Sequence, residues 1–204
     1  MCTITPGTVV TFGRYIQYDN TYAATPIEWI VLDTDGHTAK LISRYGLEIM
    51  TYHDEQSEVS WENCALRTWL NTTFLNEAFS AEEQKQLQDV PVMISIVPES
   101  DAGYGRDTRE KVSLLTIDEA ERYFASDEER KCFPTEKALT YNMWYWNQYD
   151  GRGNECPWWL QSSGGSQNCA PVVIENGDIL YEGWSVGSKY LEVAVRPVIA
   201  LRVP

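Results

Sequence analysis

The chain has 204 residues, 43% of them hydrophobic, which suits one well-packed domain and is short for two. Lys and Arg number 16 against 30 Asp and Glu, a net charge of −14. Phosphate groups are held by clustered basic side chains, so this balance argues against nucleic acid and anionic membrane surfaces as partners.

No apolar run approaches the ~20 residues of a membrane span. The opening Met1-Cys-Thr-Ile-Thr-Pro-Gly7 lacks the basic and apolar regions of a signal peptide. A soluble, cytoplasmic protein is therefore expected; signal-independent export or a place in a phage particle are the alternatives. Cys2, Cys64, Cys132, Cys156 and Cys169 are widely spaced with no C-x-x-C pair, which predicts reduced thiols. A Cys156–Cys169 bridge is the expectation for an exported form.

Strands come first. Gly7–Phe12, Pro26–Gly36 and His37–Arg44 read as a hairpin or meander with a turn at Gly36. Ser60–Asn71 then places Trp61, Ala65, Leu66 and Trp69 on one helical face. Ser80-Ala-Glu-Glu83 and Thr116-Ile-Asp-Glu119 are capping boxes, each opening a short helix by satisfying free N–H groups of the first turn. The second of these helices should bury Ile117, Ala120 and Phe124. Val90–Val97 and Lys111–Leu115 read as strands flanking an exposed loop at Pro98–Glu110. Val172–Leu180 is a hairpin around Asn176-Gly177, and Leu191–Val203 is a closing strand of alternating apolar residues.

These elements predict an α+β fold with a mixed or antiparallel sheet, paired N- and C-terminal strands and two to four short helices. One domain over 1–204 is expected: a scaffold to residue 139, candidate ligand-binding loops over 140–190, and the closing strand.

The series Pro26-Ile-Glu-Trp29, Trp61-Glu62, Leu66-Arg67-x-Trp69-Leu70-Asn71, Leu114-Leu115-x-x-x-Glu119-Ala120, Trp158-Trp159-Leu160 and Val195-Arg196-Pro197 resembles an uncharacterised bacterial domain family. Its members carry W-W-L-R-S near the end and close with V-R-P. The family is similar to the C-type-lectin-like and formylglycine-generating-enzyme-like folds. That resemblance implies a lectin-like scaffold, and fold alone does not fix activity. The chain departs from the pattern at Gln161 and Ser162-Ser163, where the family has Arg and Ser-Pro, so the role of that Arg does not carry over. The Asn/Tyr/Ser/Trp-rich stretch before a closing V-R-P is also similar to the variable proteins of diversity-generating retroelements.

Thr140–Asn168 is rich in Trp, Tyr, Asn, Gln, Ser and Gly. Aromatic rings give contact area at low entropy cost and amides give adaptable hydrogen bonds, so this composition suits a binding loop. Candidate ligand-binding residues are Tyr141, Trp144, Tyr145, Trp146, Asn147, Tyr149, Asn154, Gln161, Ser163, Gln167 and Asn168, joined by Tyr181 and Trp184 from a second loop at Tyr181–Tyr190. The competing assignment places some of these rings in a satellite core. Of the adjacent Trp158 and Trp159, one should face inward and one outward.

Trp61, Arg67, Trp69, Asn71, Trp159 and Arg196 read as structural. Arg196 is held extended by the following proline and needs a partner, with Glu or Asp of the central helices expected.

Asp150, Asn154 and Glu155 offer oxygen ligands to calcium, weakened by Arg152 between them and by the lack of an E-P-N or W-N-D element. Neither His37 nor His53 has a metal-ligand spacing, and no other cofactor is expected. No Ser-His-Asp set, P-loop or dinucleotide glycine pattern occurs, and the two late cysteines are too far apart for formylglycine chemistry. A module recognising a protein or carbohydrate ligand is the expected function. An enzyme of the formylglycine-generating-enzyme-like fold and a structural domain of a phage or cell-surface assembly are the alternatives.

Overall fold

The computed structural model describes residues 4–18, 22–92, 108–140, 155–189 and 192–203. Strand β1 (Val9–Ile16) pairs antiparallel with β2 (Ala24–Thr34), and β2 pairs with β3 (Thr38–Ser43) across a turn at Gly36. Asp35 tightens that turn, its carboxylate accepting from the His37 and Thr38 N–H groups, which hold its pKa below the ordinary carboxylate value. Two-residue β4 (Glu48–Ile49) follows.

The next segment is helical from 65 to 78 after a 3₁₀ turn at Trp61–Asn63. Helix α1 (Ala65–Trp69) passes through a π turn at Leu70–Phe74 into α2 (Leu75–Ala78). Its buried residues, Leu66, Leu70, Phe74 and Ala78, fall every fourth position. On a regular α-helix such a row drifts by about 40° per step, and the wider π turn offsets that drift.

Helix α3 (Ala81–Gln84) opens on the predicted Ser80/Glu83 capping box, and β5 (Leu87–Gln88) follows. Strands β6 (Val90–Val92) and β7 (Thr108–Glu110) pair with each other, so the predicted 98–110 loop ends in a strand, and Glu110 is buried. Beyond β8 (Val112–Ser113), helix α4 (Ile117–Tyr123) carries the second capping box and buries Ile117 and Ala120, with Phe124 at its end. Helices α5 (Asp127–Arg130) and α6 (Glu136–Thr140) complete the helical part.

The closing elements are β9 (Trp158–Trp159), β10 (Cys169–Val173), β11 (Ile179–Ser185), β12 (Ala194–Val195) and β13 (Val198–Arg202). Gly177, at φ +92°, makes the β10–β11 turn. A Cβ there would also sit 1.8 Å from the Asp127 carbonyl oxygen, so both conformation and space demand glycine.

One sheet has the order β1-β2-β3-β13-β5, with β8 also on β13. The other runs β11-β10-β9-β12-β4, antiparallel except for the β12–β9 pairing. The fold is thus α+β, largely antiparallel, with short helices. Those helical stretches are more numerous among the described residues than the expected two to four. The terminal strands share a sheet but do not pair, because β2 and β3 lie between them.

The predicted closing strand also divides. Pro197 has no N–H to continue a ladder, and the chain crosses from one sheet to the other at Arg196-Pro197.

The central strands of both sheets are buried on both faces. Alternate residues enter two different hydrophobic clusters: Leu41, Trp159, Val172 and Ile199 in one, Ile42, Trp158, Val173 and Val198 in the other. Trp158 and Trp159 therefore do face opposite ways, but neither faces water, at 0% and 1% exposure. Among the described residues no helix is long and apolar enough to cross a membrane.

Candidate functional site

Of the expected binding residues, Tyr141, Trp144, Tyr145, Trp146, Asn147, Tyr149 and Asn154, with the calcium candidate Asp150, lie outside the described residues. Not all of the remainder lie at the surface. Gln161 is buried, and its backbone carbonyl accepts from the Tyr52 hydroxyl at 3.2 Å, so it belongs to the interior instead of a ligand-facing loop. Ser163, Gln167 and Asn168 are half-buried. Gln56 ties this stretch down: its amide donates to the Asn168 carbonyl, and its oxygen accepts from Ser185 Oγ and the Gly187 N–H.

Tyr181 and Trp184 lie on strand β11, not on a loop. Trp184 is half-buried and packs on the first cluster. Tyr181 is 47% exposed, and its hydroxyl donates to Glu121 Oε1 at 2.5 Å. That bond to a carboxylate, followed by burial, raises the phenol pKa. Tyr181 edges a recess of about 380 Å³ with Glu121, Asp127, Asp178 and Arg130. Glu155 is half-buried. Among the described residues, no three His, Cys, Asp or Glu side chains converge as metal ligands.

A larger cleft of about 500 Å³ was not foreseen. Its polar wall comes from β1, β2 and the segment entering α6: Gln17, Thr25, Glu28, Thr135 and Glu136. Tyr18 and Tyr45 supply rings, and Pro26 and Pro134 the apolar remainder.

The local sequence explains the shape. Gly46 bridges Pro134, receives the Thr135 N–H and donates to the Phe133 carbonyl, and a Cβ there would lie 2.6 Å from Ala194 Cβ. Glycine at 46 thus lets this stretch, with the 133–135 segment bonded to it, lie against β12. The Gln17 amide donates to Thr25 Oγ1 at 2.7 Å and the Pro26 carbonyl at 3.0 Å, fixing the opposite wall. On the rim Arg44 pairs with Glu28 at 2.8 Å and lies over the Tyr45 ring. Both charges are well exposed, so that pair orders the rim more than it stabilises the fold.

Beside the cleft, Glu48 Oε2 accepts from both the Tyr15 hydroxyl (2.9 Å) and Lys137 Nζ (2.7 Å). The sequence signal for this cleft was the Gln17-Tyr-Asp-Asn-Thr-Tyr22 run, whose composition matches that of the later aromatic segment.

The residues read as structural have the following places. Asn71 acts as a strand neighbour for β8, donating to the Val112 carbonyl at 2.8 Å and accepting its N–H at 3.2 Å. Arg67 pairs with buried Glu110, and Trp69 packs on Phe74. Trp61 and Trp159 both pack on Tyr52.

Arg196 is 1% exposed and meets no carboxylate of the central helices. It donates to the carbonyls of Ser43 (2.9 Å) and Arg130 (3.5 Å) and lies over the Phe124 and Trp158 rings. Carbonyls and ring faces replace the anion that was expected.

Burial pushes the Cys64 thiol up to about 12 and the Tyr52 phenol well above its ordinary value. Both groups favour the folded state while neutral. Their contribution is complete below the unfolded thiol pKa of ~8.5 and is lost as pH rises toward the folded values. The urea midpoint should therefore fall steeply above about pH 9. Cys64→Ala should delay the onset, and a midpoint flat to pH 11 would contradict the burial of both groups.

No curated protein and no solved structure matches the chain. Residues 36–203, from the β2–β3 turn through β13, match the model of DUF6273, a domain of unknown function, so the chain belongs to that family.

Proposed function

We propose that the protein is a ligand-recognition module, one domain of C-type-lectin-like architecture, that takes a glycan or protein partner through the cleft and the aromatic segment 141–149. The observation that carries this is the cleft itself. It pairs two tyrosine rings with carboxylates, an amide and hydroxyls, and its Pro134–Glu136 wall leads within five residues into that segment. Rings that cover a C–H face, beside acceptors for hydroxyl or amide protons, suit a polar, uncharged or cationic ligand. The net charge of −14 favours the same classes.

A glycan array and a protein-partner screen, each with and without calcium, test the proposal. Wild type should bind a hydroxyl-rich or amine-bearing ligand. Tyr45→Ala and Glu136→Gln should each weaken binding by about tenfold or more, and Trp144→Ala with Trp146→Ala should abolish it at unchanged melting temperature. Binding insensitive to all four changes would refute the assignment. A reverse transcriptase gene with a template repeat matching 140–197 beside the gene would add retroelement diversification of this surface.

A further inference from the structure

Two cysteines that the sequence reads as reduced thiols, with Cys156 paired to Cys169 in an exported form, meet in the structure. Cys132 follows α5 and Cys156 precedes β9, and the Cys156 N–H donates to the Cys132 carbonyl at 2.7 Å. A direct backbone bond of this kind sets the two Cα atoms about 5 Å apart, inside the window a disulfide needs. Both side chains are fully buried in the same cluster as Trp158 and Phe124. Their thiols interact directly, and the Arg196 guanidinium acts on both. Cys64 is buried apart from them, in the other cluster, and Cys169 is half-buried on β10.

We propose that Cys132 and Cys156 are a disulfide-forming site, closed by exchange with a small-molecule disulfide such as glutathione disulfide. Burial opposes ionisation of Cys132, but the Cys156 thiol and Arg196 outweigh that and leave its pKa below the ordinary thiol value in the folded chain. Burial and the neighbouring Cys132 sulfur raise Cys156 well above it.

In the refolding chain either thiolate can open the exchange; with Cys132 first, it attacks one sulfur of glutathione disulfide. That S–S bond breaks, and one glutathione leaves as thiolate and takes up the proton Cys132 has lost. Cys156 then gives up its proton and attacks the Cys132 sulfur of the mixed disulfide, expelling the second glutathione. Two protein thiols are oxidised and one glutathione disulfide is reduced to two thiols. The bridge staples the two ends of the 133–155 span, which contains the aromatic run. Its effect on recognition rests on the function proposed above; its formation does not.

The test is to unfold the full chain in urea and refold it in a glutathione redox buffer, so that burial does not limit access. Free thiols are then alkylated and the peptides mapped by mass spectrometry. Expected are a single Cys132–Cys156 link, two fewer alkylated cysteines than in the reduced control, and a melting temperature several degrees higher. In Cys156→Ser and in Cys132→Ser the link should be lost, and no other cysteine pair should replace it. A Cys156–Cys169 link, or full alkylation after refolding in excess glutathione disulfide, would overturn the site. Because the readout is the mapped link, it fails or succeeds independently of ligand binding.

Discussion

Trp159→Ala is expected to cost about 4–8 kcal/mol, a large share of the 5–15 kcal/mol that holds a domain of this kind together. The indole is 1% exposed, and its ring meets Tyr52 edge-on at 5.5 Å. Truncation removes that contact and opens a cavity in the middle of the first cluster, which alone accounts for about 3–5 kcal/mol. The indole N–H also donates to the Met50 carbonyl at 2.9 Å, and an orphaned buried acceptor adds about 1–3 kcal/mol. Trp159→Phe should lose mainly the second part. The contrast that matters is Trp184, which packs on the same cluster but is half-buried, and whose loss should cost no more than about 2 kcal/mol. Urea denaturation of the three variants at constant m-value measures this. Equal costs at 159 and 184 would mean that the division between interior and presented tryptophans is misplaced.

That division was only half legible in the sequence. Capping boxes at Ser80 and Thr116 and the Asn176-Gly177 turn lie in local chemistry, where a few neighbouring side chains decide the outcome, and all three form. Alternation along Trp158-Trp159 correctly gave opposite facing. It could not give exposure, because a period of two says nothing about what covers the second face, and here α4 brings a second cluster to it. Tyr181–Ser185 looked like loop because Gly183 and polar residues interrupt it. Gly183 instead gives the backbone φ +75° beside the Ala170 carbonyl, where β10 and β11 shift register. The cleft was illegible for a different reason. Gln17, Tyr45 and Glu136 are remote in sequence, and only the packing of the 133–135 segment on Gly46 assembles them. The Cys132–Cys156 contact is hidden in the same way, since their spacing of 24 matches no motif.

Arg196 carries the second large effect, and its substitutions should rank in an order that charge alone does not give. Burying an ion costs several kcal/mol, which is offset here by two carbonyl acceptors and by the faces of Phe124 and Trp158 at 5.4 and 5.0 Å. Arg196→Ala removes the ion but leaves a cavity between the rings and takes the donor from the Ser43 carbonyl, while the Arg130 carbonyl keeps the Trp158 indole N–H at 3.0 Å, for a cost of about 3–5 kcal/mol. Arg196→Met refills most of the volume and should recover about half of that. Arg196→Lys keeps the charge, yet its compact, strongly hydrated ammonium cannot lie flat between two rings or reach both carbonyls, so at pH 7 it should be the least stable of the three. Burial depresses the pKa of such a lysine below its unfolded value near 10.4. The unfolded chain then binds more protons than the folded one, and the stability of Arg196→Lys relative to Arg196→Met should rise between pH 7 and 9, before Cys64 and Tyr52 begin to ionise. Urea midpoints of the three variants at those two pH values decide it. A lysine variant as stable as wild type at pH 7 would show that the site needs only a positive charge, and the stacking and carbonyl geometry assigned to Arg196 would then carry no energy.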